Sequence, residues 1–296
     1  MTQQTCRACG SDIEPADRFC EVCGLRQPTE DDRLERDLGI AAGVTDRGSR
    51  HERNEDAFAL RLVDGRAIVA VACDGVSTSD RPDQASRLAS ATAADTLVEA
   101  LTAGIDAATA TSNAVEAAAK AVIGLADPGD VDSAPACTYV SAVVTGDAVV
   151  VGWLGDSRAG WLAADGTSTS AWWTIDDSWA LEMVTSGQLG YAEAEADPRA
   201  HALTGWVGAD ADEQQSTARL VTVRPSGPGA VLLCSDGLWN YESAPGALAD
   251  MVMTDLEAPL PGAKTLVQYA LSRGGQDNIT AVLIPFPPLS LRRSAP

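Results

Sequence analysis

Two short apolar runs constrain this chain more than any other feature. Ala67–Cys73 stops at Asp74-Gly75, and Ala230–Ser235 stops at Asp236-Gly237. A short, continuous apolar run closed by a turn signal reads as a strand buried on both faces. Each run therefore delivers a carboxylate to a strand end, and the following glycine lets another group approach the backbone closely. Glu55-Asp56, Gly155-Asp156-Ser157-Arg158 and Asp277-Asn278 border apolar segments in the same way. Carboxylates placed at element ends across the chain look like ligands for hard cations.

The 296 residues are 45% hydrophobic and 21% charged, which accommodates one large domain with a small appendage. No stretch is apolar and long enough to span a bilayer, and the N-terminus is polar. The expectation is a cytoplasmic protein with no signal peptide and no membrane partner. A net charge of −21 argues against nucleic acid as a partner, which asks for a basic face. Much of that charge reads simply as a solvated surface.

Four of the seven cysteines crowd the N-terminus as Cys6-Arg7-Ala8-Cys9-Gly10 and Cys20-Glu21-Val22-Cys23-Gly24. Two Cys-x-x-Cys pairs supply the four thiolates of a structural zinc site, and each glycine permits the turn that aims both sulfurs at one ion. Residues 1–26 are expected to be a zinc ribbon holding one Zn²⁺. Four sulfur ligands leave no open position, so the ribbon reads as a docking module for a protein partner and not as a catalytic centre. Cys73, Cys137 and Cys234 sit singly in apolar runs and read as small buried hydrophobes.

Residues 27–38 are polar and charged and read as a linker or short exposed helix. From Gly39 the pattern changes. Strands are expected over Gly39–Thr45, Ala57–Leu62 and Ala67–Cys73, the last two joined by an Asp64-Gly65 turn. Pro82–Ala103, with Asp83 as N-cap, and Asp106–Leu125 are Ala-rich and read as a helix pair. Thr138–Thr145 and Ala148–Leu154 form a further hairpin, which Ala159–Ala163 continues after the Gly155–Arg158 turn. Ser178–Gly187 is a short helix, with Asp177 or Ser178 as its cap, and Gly190–Gly208 is an irregular, mobile flap. Leu220–Val223, Ala230–Cys234 and Ile279–Phe286 are strands, Ser243–Thr254 and Gly262–Ser272 are helices, and residues 287–296 are a loose tail. Hairpins with helix pairs inserted between them imply antiparallel sheets covered by helices.

Several chemistries are missing. Only His51 and His201 are present, too few for a histidine-rich metal site. None of the buried-run cysteines has an arginine six residues on, and neither Gly-x-Ser-x-Gly nor a Walker loop occurs. The scattered carboxylates suit Mg²⁺ or Mn²⁺, and two such ions can stabilise in-line displacement at phosphorus.

Taken in order, Arg53-Asn54-Glu55-Asp56, Cys73-Asp74-Gly75, Gly155-Asp156-Ser157-Arg158, Cys234-Ser235-Asp236-Gly237-Leu238-Trp239 and Asp277-Asn278-Ile279-Thr280 resemble the metal-dependent protein phosphatases, the PPM or type 2C family. The resemblance covers about residues 39–286. It implies an α+β fold, a four-layer α/β/β/α sandwich of two antiparallel sheets flanked by helices, preceded here by the ribbon. It implies two or three Mg²⁺ or Mn²⁺ ions in a cleft at one end of the sandwich. Asp74 would bridge two of them, with the Gly75 carbonyl on one. Asp236 and Asp277 would hold the first metal, and Glu55 and Asp56 would approach the second. Asp156 would support a third position with Asp236, against the plainer reading that it orders its turn or pairs with Arg158. The implied reaction is direct attack of metal-bound hydroxide on phosphoserine or phosphothreonine, with phosphorylated proteins, Ser/Thr kinases or their substrates, as partners.

The chain departs from the family pattern in three places. His51 stands where an arginine usually binds substrate phosphate, leaving Arg50, His51 and Arg53 as candidates for that task. Val76-Ser77-Thr78 follows Asp74-Gly75 where Met-Gly-Gly is common, and Gly205 replaces an arginine in Leu203-Thr204-Gly205. These departures keep two other readings open: a catalytically impaired scaffold that binds phosphoproteins, and a metallophosphatase acting on a small molecule.

Overall fold

Every major apolar run becomes a strand with one face toward a second sheet and the other toward helices. The structure, a computed structural model, describes residues 4–6, 9–14, 17–24, 26–27, 29–127, 133–164, 169–253, 256 and 258–287. The expected tail lies outside the described residues from 288 onward, and so does Thr254 at the expected end of its helix.

The cysteine module contributes β1 (Gln4–Thr5) and β2 (Asp12–Ile13), and the chain then enters β3 (Arg33–Asp37) and β4 (Ala42–Asp46). β5 (Asp56–Val63) and β6 (Ala67–Asp74) form a hairpin. At its turn Asp64 and Gly65 have φ of 48° and 66°, the left-handed pair that a two-residue hairpin needs. Helices α1 (Pro82–Thr102) and α2 (Ala107–Ile123) follow, and the Asp106 carboxylate caps α2 by accepting from the backbone N–H of Ala108 and Thr109 at 3.1 and 3.0 Å. Next come β7 (Ala136–Cys137), β8 (Tyr139–Val144), β9 (Val149–Leu154), β10 (Arg158–Ala163) and β11 (Ala171–Trp172). Short helices α3 (Trp179–Thr185) and α4 (Tyr191–Glu195) precede β12 (Val207–Gly208). The chain continues through β13 (Arg219–Val223), β14 (Gly229–Cys234), the single turn α5 (Asp236–Trp239), α6 (Pro245–Val252), α7 (Pro259–Ser272) and β15 (Ile279–Phe286).

Two antiparallel sheets, ordered β11-β10-β14-β15-β4-β3 and β13-β9-β8-β6-β5, pack face to face. Side-chain alternation along each strand divides the interior into three cores. In β6, Ile68, Ala70 and Ala72 meet the other sheet, whereas Val69, Val71 and Cys73 meet α1 and α2. In β15, Val282, Ile284 and Phe286 face the sheet interface and Ile279, Ala281 and Leu283 face α6 and α7. The inter-sheet core is closed by Trp161, stacked on Trp173 at 6.2 Å and edge-on to Phe286 at 5.8 Å. This is the expected α+β sandwich of layers α/β/β/α.

Four local expectations are corrected. Residues 33–37, expected in a linker or exposed helix, are the edge strand β3 paired with β4, after a 3₁₀ turn over Glu30–Asp32. Asp83 is not the N-cap of α1: Arg81 holds that place at φ 48°, Pro82 opens the helix, and Asp83 lies in its first turn. The Gly155–Arg158 turn does not continue a hairpin, because β9 lies in one sheet and β10 in the other. Gly190–Gly208 is not irregular throughout. It contains α4 and β12, and β12 pairs with β7.

Candidate metal centre

The strand ends bring the carboxylates to one edge of the sandwich. Asp56 and Asp74 are register partners on β5 and β6. Asp236 opens α5 directly after β14, and Asp277 precedes β15, the strand beside β14. Asn278 fixes the loop carrying Glu55. Its Oδ1 accepts from the Glu55 N–H at 2.7 Å, and its Nδ2 donates to the carbonyls of Arg47 and Arg53 at 2.7 and 3.2 Å. The two Asp-Gly glycines are required by close approach. A Cβ on Gly237 would sit 1.9 Å from the Asn278 carbonyl oxygen, and one on Gly75 would sit 2.5 Å from that of Pro82.

Asp56 is buried. Its Oδ2 lies 2.7 Å from both the Ser235 and Thr280 hydroxyls, while its Oδ1 has no hydrogen-bond partner among the described residues. Burial, reinforced by the charges of Asp236 and Asp277, pushes its carboxyl up to about 7. Burial and then Asp277 raise Asp236 to about 6, and its Oδ1 is likewise unpartnered. Asp74 is pushed well above the usual carboxylate range by burial and by Asp56, Asp236, Asp156 and Asp277. Asp156 is raised by burial and Asp236. Among the described residues no lysine or arginine is ion-paired with Asp56, Asp74, Asp156, Asp236 or Asp277, and two of the buried oxygens have no hydrogen-bond partner. An all-oxygen donor set in that condition fits hard divalent cations. Among the described residues no three of these carboxylates come within 4.8 Å of one another, which leaves room for water in the coordination.

The cluster opens into a cleft of about 550 Å³ lined by Asp74–Ser79, Thr138, Asp156, Asp236, Asp277, by His201 and Trp206 from the segment between α4 and β12, and by Asp210 just after β12. Glu55 lies at its side, accepting from the Ser77 hydroxyl at 2.6 Å. Of the three residues considered for phosphate, none lines this cleft. Arg50 donates to Gln276 at 2.8 Å and Arg53 pairs with Asp83 at 3.1 Å. His51 places Nε2 3.0 Å from Asp277 and Nδ1 3.8 Å from Glu55.

Arg158 does not pair with Asp156. It is bound to Asp176 at 2.7 Å and stacks 3.8 Å over the Trp239 ring. Asp177 accepts from the Gly155 N–H at 3.0 Å and pairs with Arg219, while Ser178 caps α3. Sequence reasoning missed His201, Trp206 and Asp210 as cleft residues. A lone histidine in an irregular segment carries no spacing signal, and only the fold brings it to the carboxylates.

At the N-terminus the Sγ atoms of Cys6, Cys9, Cys20 and Cys23 lie within 4.8 Å of one another. Cys6 and Cys23 are 3.5 Å apart and Cys9 and Cys20 3.6 Å, with no disulfide. A tetrahedron with Zn–S of about 2.3 Å has edges of about 3.8 Å. Gly10 and Gly24 take φ of +71° and +74° and donate to the Cys6 and Cys20 carbonyls at 2.9 and 2.8 Å, turning each knuckle inward. The Ser11 hydroxyl leads the effects that lower the Cys20 thiol to about 6, toward the thiolate that a metal needs.

Comparison with known proteins bears on the family and the fold. The sequence model of the family described as protein phosphatase 2C matches residues 45–266. The serine/threonine phosphatase stp of Listeria welshimeri is 28% identical over 243 residues, covering 81% of this chain and 93% of its own. The crystal structure of the PPM Ser-Thr phosphatase MsPP from Mycobacterium smegmatis in complex with cacodylate superposes at a TM-score of 0.65 with 28% identity, covering 82% of this chain and 97% of its own. The catalytic domain of the serine threonine protein phosphatase PstP, in complex with two manganese ions, has the same fold at a TM-score of 0.60 and 22% identity, covering 86% and 99%.

Proposed function

The chain belongs to the protein phosphatase 2C family, and from that premise we propose that it hydrolyses phosphoserine and phosphothreonine in proteins at the Asp74 cleft. The observation that carries this is the set of raised, mutually repelling carboxylates with unpartnered oxygens on Asp56 and Asp236. In this reading Asp74, Asp236 and Asp277 hold divalent cations, with the Gly75 carbonyl, Glu55, Asp56 and Asp156 completing the donor set. The similar PstP domain holds two manganese ions, which favours Mn²⁺ or Mg²⁺ here. Bound there, such ions would lower the pKa of water and neutralise charge developing on the phosphoryl oxygens.

The protein's own part is positional. Ser235 and Thr280 hold the Asp56 carboxylate from beneath, and Asn278 fixes the Glu55 loop. The cleft admits the phosphate from the side of the flap. Arg50 and Arg53 stand outside it and meet the protein part of the substrate. We take residues 39–286 as the phosphatase domain, 27–38 as its lead-in and 1–26 as a ribbon holding one structural Zn²⁺, which offers a docking face for a protein partner. Among the described residues no helix is long and apolar enough to cross a membrane.

A second reading rests on one observation: among the described residues no arginine or lysine lines the cleft. A scaffold that binds phosphoproteins without turning them over has no need of one. Release of inorganic phosphate from a phosphothreonine peptide in Mn²⁺ separates the two readings. Turnover supports the phosphatase, and cation binding without turnover of peptide or small phosphoesters supports the scaffold.

A further inference from the structure

One titratable residue of the cleft comes from the segment before β12. His201 lies between α4 and β12 and lines both the carboxylate cleft and a neighbouring cavity of about 690 Å³. The backbone around it is fixed on both sides. Trp179 N–H donates to the Ala202 carbonyl at 2.8 Å, Ala180 N–H to that of Ala200 at 3.2 Å, and Leu203 bridges Ser178. The side chain is not tied. Among the described residues neither ring nitrogen has a hydrogen-bond or ion-pair partner; the ring lies beside Trp239, with centroids 6.2 Å apart, and interacts electrostatically with Asp236.

The imidazole thus stands in the cleft on an ordered backbone with both nitrogens unused. Among the described residues no lysine, arginine, tyrosine or cysteine lines the cleft. Asp210, just after β12, accepts from the Trp206 indole N–H at 2.8 Å. The strand-end carboxylates are the groups that would hold cations, and as anions they have no proton to give. His51, the other histidine, is taken up by Asp277 and Glu55.

We propose that His201 is the general acid of the reaction, protonating the seryl or threonyl oxygen as it leaves phosphorus. This rests on the phosphatase reading. Water forms the new P–O bond. The ester P–O bond breaks with its electron pair on the substrate oxygen, which takes the His201 proton and departs as the alcohol. The proton lost by water passes to solvent, solvent reprotonates the imidazole, and nothing is oxidised or reduced. An alkoxide is a poor leaving group and needs that proton, whereas p-nitrophenolate leaves as a stable anion.

The test compares wild type with His201→Gln in the full chain with Mn²⁺, using a phosphothreonine peptide and p-nitrophenyl phosphate. Loss of the acid lowers kcat for the peptide about 10²-fold or more and that for the aryl ester far less. Free imidazole restores part of the peptide turnover in His201→Ala. The Mn²⁺-induced rise in Tm is retained, showing that fold and cation site are intact. Equal losses on the two substrates, or a raised KM with unchanged kcat, overturn the assignment and make His201 a phosphate holder or a structural residue. Wild-type protein that turns over neither substrate overturns the phosphatase reading itself, and the assignment with it.

Discussion

Asp56 and Asp74 face each other across neighbouring strands as register partners, so two acids that repel stand side by side at the strand ends. Burial is the first cause of the raised carboxyl at each, and each also feels other acids of the cluster. A fold that places them so is complete only with positive charge between or beside them.

That arrangement sets a pH dependence. Asp56 at about 7 and Asp236 at about 6 both lie above the ordinary 3.8. Between those limits the folded protein binds more protons than the unfolded chain. Their contribution is therefore fully present below about pH 4 and is lost as pH rises toward 7, at up to about 1.4 kcal/mol per pH unit for each group. In chelator, Tm is expected to fall between about pH 5 and pH 8. Saturating Mn²⁺ is expected to raise Tm more at the upper pH than at the lower. A Tm in chelator that climbs across this window contradicts the assignment.

Ser235 supports the site from beneath. Its hydroxyl lies 2.7 Å from Asp56 Oδ2 and accepts from the Thr280 N–H at 3.0 Å. Ser235→Ala leaves a buried N–H unpaired and takes a donor from a buried carboxylate, an expected cost of about 1–3 kcal/mol. The urea midpoint should fall with m unchanged. Mn²⁺ affinity, read by calorimetry, should weaken by about tenfold or more.

Strands buried on both faces, such as β6 and β14, were legible because nearly every residue is apolar and each run ends in Asp-Gly. The edge strand β3 was not. Its residues Arg33–Asp37 are largely solvent-exposed, and an edge strand under no demand for apolar side chains looks like a linker. The turn after β9 could not be placed either, since Gly155–Arg158 carries the chain between sheets and a turn sequence does not say which sheet receives it. The carboxylate positions followed from motif order. The ties on Arg50, Arg53 and His51 did not, because each partner, Gln276, Asp83 or Asp277, lies at least thirty residues away.

The ribbon makes a separate prediction. Purified protein should carry one zinc per chain by elemental analysis, and Cys6→Ser with Cys23→Ser should remove it. The ribbon's small core is Cys6, Ile13 and Cys20, separate from the cores of the sandwich, so the main melting transition should be unchanged. Disulfides among these cysteines by mass spectrometry would refute a zinc site.

The most direct measurement is Mn²⁺-dependent phosphate release from a phosphothreonine peptide by wild type, Asp74→Asn and Asp236→Asn, with folding checked by circular dichroism. The account predicts release that stops in chelator and falls by about 10²-fold or more in each variant. It also predicts a higher Tm for cation-free Asp74→Asn than for cation-free wild type, because the cost of burying a carboxyl whose ionised form is disfavoured there is removed. Equal release by all three proteins, or release that persists in chelator, contradicts it.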